Sequence, residues 1–178
     1  MKKSEVVLIF TGDGKGKTTA AIGNAVRMLG WKKRVVYCTF FKNPISGEIA
    51  IFRKMKHCNL FMFCCTHPAF LQKPINKKEF KEFFETEWTR FLKKITKIKH
   101  CDLLVMDEIL IAIRDNLLEE KKLVSFIKKI QKQIPAINII LTGRGMTKAI
   151  SNIANVITEM KCIKHPYPAI KPTKGLEY

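Results

Sequence analysis

At 178 residues, nearly half of them hydrophobic (47%), the chain is long enough to bury a core and too apolar to be intrinsically disordered. No run approaches the roughly 18 apolar residues of a membrane span, and Met1-Lys2-Lys3-Ser4-Glu5 leads into an apolar run without a signal-peptide core, so a cytoplasmic protein is expected. The balance of 33 Lys and Arg against 15 Asp and Glu leaves +18, which favours an anionic partner of some kind.

The first predicted element is a buried strand, Val6-Val7-Leu8-Ile9-Phe10, which turns at Thr11-Gly12-Asp13-Gly14-Lys15-Gly16-Lys17-Thr18-Thr19 into an alanine-rich helix. Strand, glycine turn, Gly-Lys-Thr-Thr and helix make a phosphate-binding loop. Gly12, Gly14 and Gly16 let the backbone approach an anion closely, and the N–H groups of loop and first helical turn converge on phosphate oxygens. Lys17 adds a point charge, read here as an exposed loop cation, and the Thr18 hydroxyl is placed to ligate Mg²⁺. Thr11 stands where the usual pattern has its first glycine. The helix is expected to stop near Leu29-Gly30, with glycine as a left-handed terminator.

A second strand, Val35 to Phe41, ends at Lys42-Asn43-Pro44, followed by Ser46-Gly47-Glu48 and a short helix. Ligands of open parallel sheets sit at the carboxyl ends of strands, so Lys42 and Glu48 are either site residues or parts of an ordinary turn. Asn59 to Cys64 reads as a third strand. In the irregular stretch that follows, Phe70 either caps the core or touches a flat ligand. Asn76, with Glu79 three residues on, opens a long helix whose Phe80, Phe83, Phe84, Trp88, Phe91, Leu92 and Ile95 form a core stripe.

Leu103-Leu104-Val105-Met106-Asp107-Glu108 is a buried strand ending in two carboxylates, the usual companion of a phosphate loop, and such acids hold Mg²⁺ directly or through water. A helix from about Leu118 to Ile134 stops before Pro135, and Ile137 to Leu141 forms a strand ending in Thr142-Gly143-Arg144. Arg144 is either a phosphate clamp or a surface ion-pair partner. A short helix from Thr147 to Ala154 and a strand from Val156 to Met160 complete the alternation. The tail, residues 161–178, reads as extended and rich in special residues, including His165 and Tyr167.

The expected fold is therefore a single P-loop NTPase-like domain over residues 1–178, a three-layer α/β/α sandwich with a mostly parallel sheet. The six cysteines show no Cys-x-x-Cys spacing, as for reduced thiols. Lysine pairs such as Lys93-Lys94 and Lys121-Lys122 are scattered along helix faces without interleaved aromatics, which makes nucleic acid the weaker reading of the charge. From the motifs alone, a small-molecule kinase or NTPase also fits.

Taken together, Thr11 to Thr19, Phe40-Phe41-Lys42 with Ser46-Gly47-Glu48, Val105 to Glu108, Leu141 to Arg144, Thr158-Glu159-Met160, Lys164-His165-Pro166-Tyr167 and Lys174-Gly175-Leu176-Glu177-Tyr178 resemble the P-loop corrinoid adenosyltransferases. These blocks fall in family order along essentially the whole chain. The resemblance implies transfer of the 5′-deoxyadenosyl group of ATP to cobalt(I) of a corrinoid, with triphosphate leaving. It assigns phosphate binding to the loop from Gly12 through Asp13, Gly14, Lys15 and Gly16 to Lys17, with Thr19 close by. Mg²⁺ falls to Thr18, Asp107 and Glu108, and charge neutralisation to Arg144, so that Lys17, Glu108 and Arg144 carry the catalysis. The nucleotide is implied to run across the loop in the reverse of the usual direction. Some relatives carry Gly-Phe-x-Trp after the third strand, where aromatic residues displace the lower cobalt ligand. This chain has Thr66-His67-Pro68-Ala69-Phe70 there, which leaves Phe70 for that task and His67 as an alternative ligand. A homodimer and an acidic flavoprotein reductant are also implied.

Overall fold

The computed structural model describes residues 5–42, 45–63, 76–164 and 173–176. Six strands, β1 (Val7–Thr11), β2 (Val35–Thr39), β3 (Cys58–Met62), β4 (Leu103–Asp107), β5 (Asn138–Thr142) and β6 (Val156–Glu159), form one sheet in the order β3-β2-β4-β5-β1-β6. Every pairing is parallel. The four inner strands are buried almost throughout, which is why they read as continuous apolar runs and not as alternating ones.

Alternate residues of each strand serve opposite faces. Val36, Cys38, Leu104, Met106, Ile139 and Leu141 pack with α3 (Lys77–Ile95), α4 (Ile109–Arg114), α5 (Glu120–Gln133) and α6 (Lys148–Ser151). Val35, Tyr37, Leu103, Val105 and Ile140 pack with α1 (Lys17–Gly30) and α2 (Gly47–Phe52). The result is the expected α/β fold with a layer of helices on each side of the sheet.

The predicted stripe of α3 is buried at Phe80, Phe84, Trp88, Phe91 and Ile95, whereas Phe83 is exposed. The Asn76 side chain caps the helix by accepting from the Lys78 N–H at 2.9 Å. Phe84 is fully buried, with ring centroids 5.8 Å from Phe41, 6.0 Å from Phe63 and 6.2 Å from Phe40. This aromatic wall fastens the long helix to the carboxyl ends of β2 and β3.

Three details differ from expectation. Gly30 is the last helical residue of α1, and the left-handed position falls on Lys32 at φ 57°, after Trp31 has already bonded back to the helix. The second strand ends at Thr39, because Phe41 takes φ 58° and turns the chain toward Lys42. Helix α4 was not anticipated: Ile109 to Ile113 is an apolar run without a polar cap or a helical period of its own, and it is helical because its residues fill the space beside β5.

Candidate functional site

The phosphate loop leaves β1 and packs against the chain leaving β6. The Gly14 N–H donates to the Met160 carbonyl at 2.7 Å, and the Met160 N–H donates to Thr11 O at 2.8 Å. A side chain at Gly12 would overlap the Met160 carbonyl, and one at Gly14 would lie 2.6 Å from Lys161 O, so the close approach itself demands glycine. Helix α1 opens immediately after Gly16, with no side-chain cap and no acid in its first turn. Its positive end and N–H groups therefore remain to meet an anion.

Lys17 is not the exposed cation expected: it is buried, and its Nζ donates to Gly12 O at 2.8 Å and Gly14 O at 2.6 Å. Burial pushes its pKa down, with Arg144 adding to that and Glu108 opposing it. Among the described residues, the hydrogen bonds of its ammonium go to these two loop carbonyls. Lys15 and Thr19 are exposed on the loop and the first helical turn.

The second half of the site lies at the carboxyl end of β4. Asp107 is completely buried and its carboxylate joins four elements. Thr18 Oγ1 donates to it at 3.0 and 3.2 Å, and Thr142 Oγ1 at 2.7 Å, while Lys42 Nζ lies 3.0 Å from Oδ2. Lys42 also pairs with Glu48 at 2.7 Å. Burial pushes Lys42 down, but Asp107 and Glu48 outweigh it and hold the ammonium above its usual value. Burial likewise pushes Glu48 up, and Lys42 reverses that shift. Position at the end of β2 had raised Lys42 and Glu48 as candidates, and the structure brings both into the site.

Glu108 takes φ 66°, a backbone that costs a non-glycine residue about 1–2 kcal/mol. Its N–H donates to Thr142 Oγ1 at 2.8 Å. Its Oε2 is buried and has no hydrogen-bond partner among the described residues, and burial, reinforced by Asp107, raises its pKa. A hydroxyl and two carboxylates are the hard oxygen donors that Mg²⁺ prefers, and an orphaned buried carboxylate oxygen is suited to it, so Thr18, Asp107 and Glu108 fit that ion. No group of three or more His, Cys, Asp or Glu side chains is placed to hold a metal among the described residues, so the fit here rests on one hydroxyl and two carboxylates.

Arg144 reaches back to the phosphate loop, donating from Nη2 to Asp13 O at 3.1 Å and pairing through Nε with Asp13 Oδ1 at 3.3 Å. It is half-exposed, so this pair leaves the fork open to exchange for phosphate oxygens. Thr142 was not singled out from the sequence. The available signal was its place at the carboxyl end of β5, beside the strand that carries the acids. Phe70, His67, His165 and Tyr167 lie outside the described residues. Cys38 and Cys101 are buried, and burial raises the Cys58 thiol to about 11 and Cys101 to about 12, as expected of inert, protonated cysteines. A groove of about 580 Å³ between α3 and α5 lies on the outer helical layer and includes none of these residues.

A family model described as ATP:corrinoid adenosyltransferase BtuR/CobO/CobP matches residues 3–178. A corrinoid adenosyltransferase of Pseudomonas aeruginosa is 29% identical over 175 residues, covering 97% of this chain and 83% of that protein. One from Escherichia coli K12 is 27% identical, with 97% and 85% covered, and one from a Sinorhizobium species 26%, with 97% and 80%. Among solved structures, flagellar accessory protein FlaH of Methanocaldococcus jannaschii superposes with a TM-score of 0.52 at 17% identity, over 89% of this chain and 72% of that one. ATPases 2 and 3 of EssC from Geobacillus thermodenitrificans give 0.51 at 17%, over 96% of this chain and 36% of that one. These two likenesses show a shared fold and nothing more.

Proposed function

The chain belongs to the ATP:corrinoid adenosyltransferase family, and we propose that the cluster around Asp107 and the phosphate loop carries the family's reaction in it. The enzyme moves the 5′-deoxyadenosyl group of ATP to the cobalt of a corrinoid. The electron pair of cobalt(I) forms the bond to C5′, the C5′–O bond breaks, and triphosphate leaves with that bonding pair. Cobalt(I) needs no general base, so the protein's work is alignment and neutralisation of the leaving group.

Loop amides and the first turn of α1 bind the triphosphate. Lys17 turns from the carbonyls of Gly12 and Gly14 to phosphate oxygens, and Arg144 exchanges Asp13 for the same charge. Thr18, Glu108 and Asp107 would hold Mg²⁺, which when bound would offset negative charge on the departing triphosphate. Lys42 keeps the Asp107 carboxylate aligned from its far side. The observation that carries this division of labour is the joining of Thr18 on the loop to Asp107 on β4, whose neighbour in the chain, Glu108, has a buried Oε2 with no hydrogen-bond partner among the described residues.

On the corrinoid side, Phe70 takes the lower axial face, with His67 as the alternative. An aromatic groove of about 470 Å³ beside β3 includes Phe61, Phe63 and Phe83, a surface suited to a flat ligand, and Phe63 is the last described residue before that stretch in the sequence. The +18 charge suits an acidic flavoprotein as electron donor to a cytoplasmic homodimer, and no described helix is long and apolar enough to cross a membrane. Incubation with ATP, Mg²⁺ and chemically reduced cob(I)alamin tests the proposal. Triphosphate and a light-sensitive alkyl-cobalt product are expected. ADP with a phosphorylated acceptor, or ADP and phosphate, would instead mark a kinase or NTPase.

A further inference from the structure

We propose that Thr142 is a positioning residue that sets both acids at the end of β4 through one hydroxyl. The inference rests on the reading of Asp107 and Glu108 given above. Thr142 is completely buried, and its Oγ1 stands between the Glu108 N–H at 2.8 Å and Asp107 Oδ1 at 2.7 Å. An amide N–H can only donate, so it takes a lone pair of the hydroxyl and leaves the hydroxyl proton for the carboxylate. Direction is thereby fixed along the whole relay, from the Glu108 amide through Thr142 to Asp107.

Two consequences follow from this geometry. The amide bond stabilises Glu108 in the left-handed conformation that L side chains resist, and that conformation determines where its carboxylate goes. The donated proton, together with Thr18 on Oδ1 and Lys42 on Oδ2, holds the Asp107 carboxylate in one rotation about its side chain. The regular ladder between β4 and β5 is last paired at Met106 and Leu141, so beyond it this side-chain relay replaces backbone pairing. Valine matches threonine in shape and can make neither bond. Serine keeps both.

The test uses the full chain and its Thr142→Val and Thr142→Ser variants. Binding of Mn²⁺ in the presence of ATP is read from the electron paramagnetic resonance signal of free Mn²⁺. The Mg²⁺ concentration for half-maximal adenosyl transfer to cob(I)alamin is measured alongside. Loss of a hydrogen-bonded support behind metal ligands typically weakens metal affinity about 10–100-fold, so Thr142→Val is expected to lose at least about tenfold in both readouts. Thr142→Ser should stay within about threefold of the parent, since its hydroxyl is intact. If valine does not fold, Thr142→Cys, close in size and a much weaker hydrogen-bonding group, should show the same weakening. A folded Thr142→Val or Thr142→Cys variant with parental Mn²⁺ binding and Mg²⁺ dependence, or a serine variant as weak as valine, overturns the proposal. A parent protein that transfers the adenosyl group normally while valine matches it sinks this inference alone. A parent that neither binds Mn²⁺ with ATP nor makes the alkyl-cobalt product sinks the functional reading with it.

Discussion

Replacing Lys42 with methionine tests the charge arrangement of the site directly. The ammonium lies 2.7 Å from Glu48 and 3.0 Å from Asp107, with side chains 20%, 15% and 0% exposed, so water screens these pairs only weakly. Removing one partner of a buried ion pair costs about 3–5 kcal/mol, because the remaining charge is left without compensation. The residual exposure of Lys42 and Glu48 argues for the lower end, about 3 kcal/mol at pH 7. For a domain of this size, where each kcal/mol shifts the midpoint by about 2–4 °C, thermal unfolding should fall by about 6–12 °C.

The pH dependence is the sharper part. Glu48 is held below its usual 4.5, so its share of the stability is present above that value and is lost as pH falls through the lowered pKa. Lys42 is held above its usual 10.5, so its share is present below that value and is lost only as pH rises through the raised pKa. The parent therefore keeps the pair intact between those limits. In Lys42→Met, burial is the strongest influence left on Glu48 and works to raise its pKa against the smaller pull of hydrogen bonds from the backbone and Ser46. Acidification then protonates it and relieves the penalty. Urea unfolding of both proteins at pH 7 and pH 5 should show the stability gap narrowing at the lower pH. A gap under about 1 kcal/mol at pH 7, the worth of an exposed pair, or a gap that widens on acidification, would refute the reasoning.

Lys17→Ala should lower adenosyl transfer by at least about 10²–10³-fold, the usual loss for a removed charge-stabilising donor, while circular dichroism still reports the folded α/β content. Triphosphate release at the parental rate would remove Lys17 from the site. Phe84→Ala deletes a fully buried ring and should cost about 3–5 kcal/mol in urea unfolding, with a loss below about 1 kcal/mol contradicting the aromatic wall. Phe70→Ala should slow transfer when the corrinoid is supplied as cobalt(II) and spare chemically reduced cobalt(I). Equal losses in the two assays would exclude a role in ligand displacement.

Much of this arrangement is legible in the sequence because its chemistry is local. Thr11 to Thr19 carries strand end, turn and helix start in one stretch, and buried parallel strands announce themselves as apolar runs such as Leu103 to Met106. What is not legible depends on partners distant in the chain. Helix α4 follows Glu108 as a short apolar segment that could equally extend the strand, and only packing beside β5 makes it helical. Thr142 resembles any polar residue closing a strand until sheet order brings it next to β4. Lys17 looks like a surface cation because nothing nearby in sequence says that the Gly12 and Gly14 carbonyls fold over its ammonium.

The seating of Gly12 and Gly14 on Met160 and Lys161 gives β6 a role its composition hides. All four of its residues are exposed, so by exposure alone it would pass for a tolerant border of the sheet. Its main chain is another matter, since one of its flanking carbonyls engages the Gly14 amide and fixes the floor under the glycines. Drift in the lettering of this border is therefore cheap and drift in its path is not, so a deletion of a single residue there does more harm to nucleotide grip than replacing every outward-facing group.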